Sequence, residues 1–250
     1  MRKSLFIVTI IALFLTANAF GGDINTSNKV QSKHTYNGIQ PFDAGGPDAY
    51  GYTWKDSNEP DGPVYNWIDI TTTGIEIPGL SFDDNVGPAP IGFNFNFYGT
   101  DFSTFRMCTN GWFSFTDDTI QYDHVELPST AAPENIIAPF WNDQAYMFGA
   151  KAYYYSNNVD TMIISCHNVR PEAGPHSGPF TYQMILTANG EITFQYLELN
   201  DFESWATVGI QNAGRDIGLQ IAYDEEYLTD GLAITIYPPP APQVVYFQDF

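Results

Sequence analysis

The run Asp56-Ser57-Asn58-Glu59-Pro60-Asp61-Gly62 crowds the side-chain oxygens of Asp56, Asn58, Glu59 and Asp61 onto one loop bent by Pro60 and Gly62. Calcium takes roughly six to eight such hard ligands, and extracellular calcium fills even weak sites. The spacing fits an EF-hand loop only in part. Pro60 takes its fifth position, and Trp67 stands where a bidentate Glu belongs. The same side chains can instead satisfy the turn's own backbone through Asx-type hydrogen bonds. Asp83-Asp84 and Asp117-Asp118 are weaker versions of the pattern. Calcium is thus the one cofactor the residues suggest, and no other is expected.

Nucleophilic chemistry is less visible. The chain contains no GxSxG, HExxH, GxGxxG or Walker pattern. Its four histidines are His34, His124, His167 and His176. His176 lies in the turn-like Pro175-His176-Ser177-Gly178-Pro179, and His167 borders the strand-like run that holds Cys166. A Ser-His-Asp set is recognised by geometry, which spacing does not supply. With 29 acidic residues a paired-carboxylate glycosidase remains an open alternative, although no pair is marked. Aromatic rings offer a different chemistry, because exposed Tyr and Trp faces stack on sugars and anchor interfaces. Tyr52, Trp54, Tyr65 and Tyr154 are the candidates for such a surface; the competing reading places them in the core.

These residues need a scaffold, and the pattern around them is that of strands. Phe93, Phe95 and Phe97 alternate with Asn94 and Asn96, the period-two rhythm of a half-buried strand. Phe105–Thr109 and Trp112–Phe115 flank Asn110-Gly111, and Tyr182–Ala188 and Glu191–Tyr196 flank Asn189-Gly190. Both read as hairpins closed by a type I′ turn, whose positive φ angles Asn-Gly accepts cheaply. Further strands are expected at 152–156, 161–167, 206–211, 219–222 and 232–237. No window carries a helical stripe. About a dozen short strands separated by turn residues predict an all-β fold, an antiparallel β-sandwich or barrel-like sandwich.

The ends of the chain differ from its middle. Met1-Arg2-Lys3, the apolar run Leu5 to Leu15 and Ala17-Asn18-Ala19 read as a signal peptide over 1–19, cleaved before Phe20; the run is far shorter than the ~20 residues of a membrane span. Residues 20–45 read as an irregular polar leader. At the other end Pro238-Pro239-Pro240-Ala241-Pro242 predicts an extended spacer, and Gln243 to Phe250 reads as the first strand of a further module. Nine Lys and Arg against 29 Asp and Glu give a net charge of −20 among 250 residues. That surface repels phosphate backbones, so nucleic acid is excluded as a partner and a neutral or basic one is expected. With 44% hydrophobic residues, the chain is not intrinsically disordered. Cys108 and Cys166 either form one bridge or pack as two small apolar thiols.

Five segments, in order, resemble a known module. Ile91-Gly92-Phe93-Asn94-Phe95-Asn96-Phe97-Tyr98-Gly99, Thr109-Asn110-Gly111-Trp112-Phe113-Ser114-Phe115, Ile137-Ala138-Pro139-Phe140-Trp141-Asn142-Asp143, the pair Phe180–Leu186 with Ile192–Tyr196, and Val208-Gly209-Ile210-Gln211-Asn212 are similar to motifs of nidogen-like extracellular domains. Asp48 to Ser57 resembles the lead-in to such domains in bacterial secreted multimodular proteins, and the C-terminal end resembles the start of a cleaved-adhesin jelly-roll module. The resemblance covers residues 46–237. It implies a secreted or cell-surface β module with no assigned catalytic residues, part of a larger adhesive or peptidase-associated protein that binds protein or glycan or spaces its neighbours. The alternative is a secreted hydrolase domain, a glycosidase or peptidase with an unmarked active site.

Overall fold

The computed structural model describes residues 44–172, 178–200 and 204–241. These form fifteen strands and no helix, as alternating apolar residues and a wealth of glycine and proline require. In chain order they are β1 (Ala44–Gly45), β2 (Thr53–Asp56), β3 (Ile75–Glu76), β4 (Asn85–Phe97), β5 (Thr100–Cys108), β6 (Trp112–Ser114), β7 (Ile136–Trp141), β8 (Gln144–Ala145), β9 (Lys151–Ser156), β10 (Thr161–Pro171), β11 (Phe180–Thr187), β12 (Ile192–Leu199), β13 (Thr207–Gln211), β14 (Gly218–Tyr223) and β15 (Ala233–Tyr237). One sheet has nine strands in the order β1-β2-β15-β12-β11-β10-β9-β3, with β8 attached to the far end of β10; the other has six, in the order β14-β13-β7-β6-β5-β4. The strand pairs of both sheets are antiparallel.

The two sheets share one core, which makes the fold a sandwich. Met162, Ile164 and Cys166 of β10 and Tyr182, Met184 and Leu186 of β11 meet Phe95, Phe113 and Phe140 of the smaller sheet. The Phe140 ring stands edge-on to Phe180 and Tyr182, at 5.0 and 5.4 Å between centroids. Each fully buried Phe or Ile here stabilises the fold by roughly 1.5–3 kcal/mol. Cys108 and Cys166 are free thiols in separate clusters, and burial pushes them up to about 12 and about 11.

Both outer faces are also covered. Over the larger sheet, the segment 63–70 lays Ile70 on Ile163 and Ile185. The buried amides of Gln195 and Gln183 tie it down. Asn66 N donates to Gln195 Oε1 at 2.7 Å, and the Gln183 amide brackets Ile68 N and O at 3.1 and 3.3 Å. Over the smaller sheet, Trp112 and Trp141 pack beside Cys108 and Leu127. Their indole N–H groups both donate to Gln121 O, at 2.9 and 3.2 Å.

The two Asn-Gly hairpins depart from the type I′ expectation. Cys108 pairs with Trp112 and Leu186 with Ile192. Three residues therefore turn the first hairpin, and Gly190 N bonds to Thr187 O in the second. Only the glycines, Gly111 at φ 76° and Gly190 at φ 90°, are left-handed, the arrangement of a three-residue loop with a bulge. Asn110 is held otherwise because its side chain serves as a bracket for neighbouring loops. At the domain's margin, Thr53 of β2 pairs with Tyr237 of β15. A side chain on Gly51 would meet Pro239, and one on Gly190 would meet Pro238.

Candidate functional site

The first hairpin turn is buried, with Thr109 and Asn110 at 0% exposure, and it organises one end of the sandwich. Thr109 N donates to Asp84 O at 2.9 Å, and Asp84 N donates to Thr109 Oγ1 at 2.9 Å. These bonds fold residues 81–84 onto the turn. Asn110 Nδ2 then donates to Asp83 Oδ1 at 2.9 Å, while its Oδ1 accepts Gln144 N at 3.0 Å and its carbonyl accepts Asn142 N at 3.2 Å. Gly111 fits between these strands because a Cβ there would lie 1.9 Å from Phe140 O.

The register of β8 on β10 supplies the rest. Ala145 pairs with Arg170 and Gln144 with Pro171, so the next step sets Asp143 opposite Glu172, and Glu172 N donates to Asp143 O at 3.0 Å. Carboxylate oxygens of Asp83, Asp143 and Glu172 all lie within 4.8 Å of one another. Like charges directly opposite across a ladder are destabilising. Burial, then the charges of Asp83 and Asp123, lifts the Asp143 carboxyl above its ordinary value against the opposing bond to Glu172. Glu172 is raised by burial and then by Asp143. Asp143 Oδ1 and the neighbouring Asn142 Oδ1 are enclosed without a hydrogen-bond donor, at a cost of roughly 1–3 kcal/mol for each such group. Exposed rings flank this end: Phe82 beside Asp83 is 43% exposed and Tyr122 beside Asp123 is 47% exposed.

The residues singled out by spacing fall elsewhere. Asp56 is fully buried; it accepts Asn58 N at 2.8 Å, Asn58 Nδ2 at 3.2 Å and Tyr227 Oη at 2.7 Å. Asp61 is exposed and pairs with Lys55 Nζ at 2.5 Å, which holds its carboxyl below the usual range. Asn58 is exposed and Glu59 is half-buried. Of the aromatic candidates, Tyr52 and Trp54 are corrected to core residues, 1% and 5% exposed. They point the same way from β2 and its lead-in, and the sandwich covers that face. Tyr65 is partly buried with its hydroxyl enclosed and unpartnered. Tyr154 is partly buried and lines an apolar cavity of about 310 Å³ with Ile75, Val86, Phe105 and Met107.

A nucleophile-and-base pair does exist. Ser165 Oγ and His167 Nε2 stand 2.8 Å apart, two residues apart on β10 and so on one face. The His167 ring meets Trp67 and Tyr153 edge-on. Burial lowers its pKa, and the charge of Asp69 partly offsets this. Yet Ser165 has no exposed surface, so a substrate carbonyl has no approach to its hydroxyl. His34 and His176 lie outside the described residues.

Asp143 and Glu172 escaped the reading by spacing. Asp143 closes the Ile137–Asp143 motif, and that was its only signal. Glu172 had none, since only the β8–β10 register brings it to Asp143. A family model described as "NIDO related" matches residues 59–248. Searches among curated proteins and among solved structures find no match.

Proposed function

The chain belongs to the NIDO-related family, and from that premise we propose that it is a non-catalytic extracellular interaction module. It binds a neutral or basic protein or glycan, or spaces neighbouring modules, within a larger adhesive or peptidase-associated protein that leaves the cell by the signal peptide over 1–19. The observation that carries this reading is the loop end of the sandwich. There Asp83, Asp143 and Glu172 are gathered by strand ends beside the exposed rings of Phe82 and Tyr122. Carboxylates beside aromatic faces suit Lys and Arg side chains, through ion pairing and cation–π contact. Loops fixed on a rigid scaffold are where recognition usually sits. Among the described residues no helix is long and apolar enough to cross a membrane.

The hydrolase alternative draws on one observation, the Ser165–His167 pair, and the burial of Ser165 weighs against it. The test uses the full chain on arrays of extracellular proteins and glycans. Binding should weaken as salt shortens the Debye length and fall when Phe82 and Tyr122 are replaced by Ala. Ester, glycoside and peptide substrates should stay at background. Turnover that disappears in His167→Ala would replace this reading with the hydrolase.

A further inference from the structure

Resting on the interaction reading above, we propose that Phe148 is the anchor of that surface, a ring that enters an apolar pocket on a partner protein. Met147-Phe148-Gly149-Ala150 is a turn closed by Ala150 N, which donates to Met147 O at 3.0 Å. Phe148 at φ 54° and Gly149 at φ 90° are both left-handed, the type I′ arrangement that Asn-Gly adopts cheaply. A bulky L residue takes up that backbone only under strain. Elsewhere the chain sets asparagine in this conformation, with Asn135, Asn158 and Asn168 at φ 50°, 57° and 56°.

Tyr98 supplies the internal comparison. With Gly99 it forms the two-residue loop between β4 and β5, at φ 47° and 81°, so an aromatic residue again holds the first left-handed position. There the chain offsets the strain itself. The Tyr98 ring meets Phe97, Tyr52 and Tyr50 at 4.7, 4.8 and 5.3 Å between centroids, and its hydroxyl donates to Asp48 Oδ2 at 2.7 Å. Phe148 holds the same turn position while 85% exposed, and a Cβ on Gly149 would meet nothing within 4 Å. The turn stands clear of the surface, and packing within the chain does not offset its strain. Strain kept in this way marks a residue that works on something outside the fold.

Shape and charge say what that is. A ring raised on a narrow turn is convex and suits a concave apolar pocket, as aromatic anchors do at protein interfaces; a sugar stacks on an open ring face instead. Tyr146 N donates to Ser81 O, so the turn rises beside the exposed ring of Phe82. Nine Lys and Arg against 29 Asp and Glu repel a second copy of the chain and an anionic bilayer alike. The pocket therefore belongs to a different protein, and its rim is neutral or basic.

Two measurements on the full chain decide this. Phe148→Asn gives the turn the residue it favours and should raise the melting temperature by about 2–4 °C, whereas Tyr98→Asn should lower it. A lower melting temperature in Phe148→Asn would overturn the proposal, because the ring would then be holding the fold. On the arrays of extracellular proteins and glycans, protein binding should fall roughly tenfold or more in Phe148→Asn and persist in Phe148→Tyr, which keeps the ring. Binding that survives Phe148→Asn but is lost when Phe82 and Tyr122 are replaced retires the anchor and leaves the interaction reading standing; arrays on which nothing binds retire both. Binding that depends on Phe148 but goes to glycans alone, or to phosphatidylcholine vesicles, would also overturn the assignment to a protein pocket.

Discussion

The acidic loop at 56–62 and the acidic end at Asp83, Asp143 and Glu172 solve the same problem in opposite ways. In the first, neighbours in sequence answer one another: Asn58 folds back on Asp56 and Lys55 reaches Asp61. One distant group, the Tyr227 hydroxyl, completes the set. In the second, three segments far apart in sequence converge, and an enclosed oxygen is left without a donor. A dense run of oxygen side chains is able to satisfy itself because its members are close enough to turn on each other. Carboxylates brought together by strand register have no such freedom, since the ladder fixes where their backbones stand.

The comparison is broken most severely at Gly111. Gly111→Ala forces a left-handed residue into contact with Phe140 O and should cost roughly 2–4 kcal/mol. Urea unfolding would show this, with little change near Lys55. Asn110→Ala removes the bracket among Asp83, Gln144 and the turn and should cost about 2–3 kcal/mol. The same urea unfolding reads that loss. On the other side, Tyr227→Phe strips the buried Asp56 of a donor and should cost about 1–3 kcal/mol in the same unfolding measurement.

A smaller effect sharpens the contrast through pH. Asp143 and Glu172 have raised pKa values, so the folded chain takes up their protons first. Their mutual destabilisation is full above the raised folded values and fades as pH falls toward the unfolded ones. The melting temperature of Glu172→Gln should therefore exceed the parent's at neutral pH, and the gap should close on acidification. Asp61, lowered by Lys55, works in the other direction: its contribution is present above the unfolded value and lost as pH falls through the folded one. Being exposed, that pair is screened, and Asp61→Asn should leave the melting temperature at neutral pH where it was.

The strands were legible because period two is a property of neighbours. Phe95 and Phe97, Tyr182 and Met184, Ile192 and Phe194 all declare a buried face without knowledge of the partner sheet. The hairpins were legible from Asn-Gly, but their loop length was not. That length depends on the contacts Asn110 makes with Asp83 and Gln144, and these lie far along the chain. Tyr52 and Trp54 declared a common face, and alternation alone does not say whether solvent or a second sheet covers it. The acidic end was the least legible part. Asp143 and Glu172 are separated by all of β8, β9 and β10, and the pairing of Gln144 with Pro171 makes them neighbours.

The pairing of Thr53 with Tyr237 bears on how the module carries tension. β1 is the outermost strand, with Ala44 opposite Lys55 and Gly45 opposite Trp54, so tension from the N-terminal side first parts that two-residue ladder; the start of β2 and the end of β15, antiparallel neighbours, then meet at the same end of theirs. A load applied through flanking modules acts across that pair and not along it. The hydrogen bonds between β2 and β15 then open one after another from Thr53 inward, as in a zipper. A shear arrangement, with entry and exit at opposite ends, would load them all together. In a pulling experiment through its two ends this domain should yield at low force, its first extension coming from β1 and then from β2 and β15 while the Phe140-centred core stays packed.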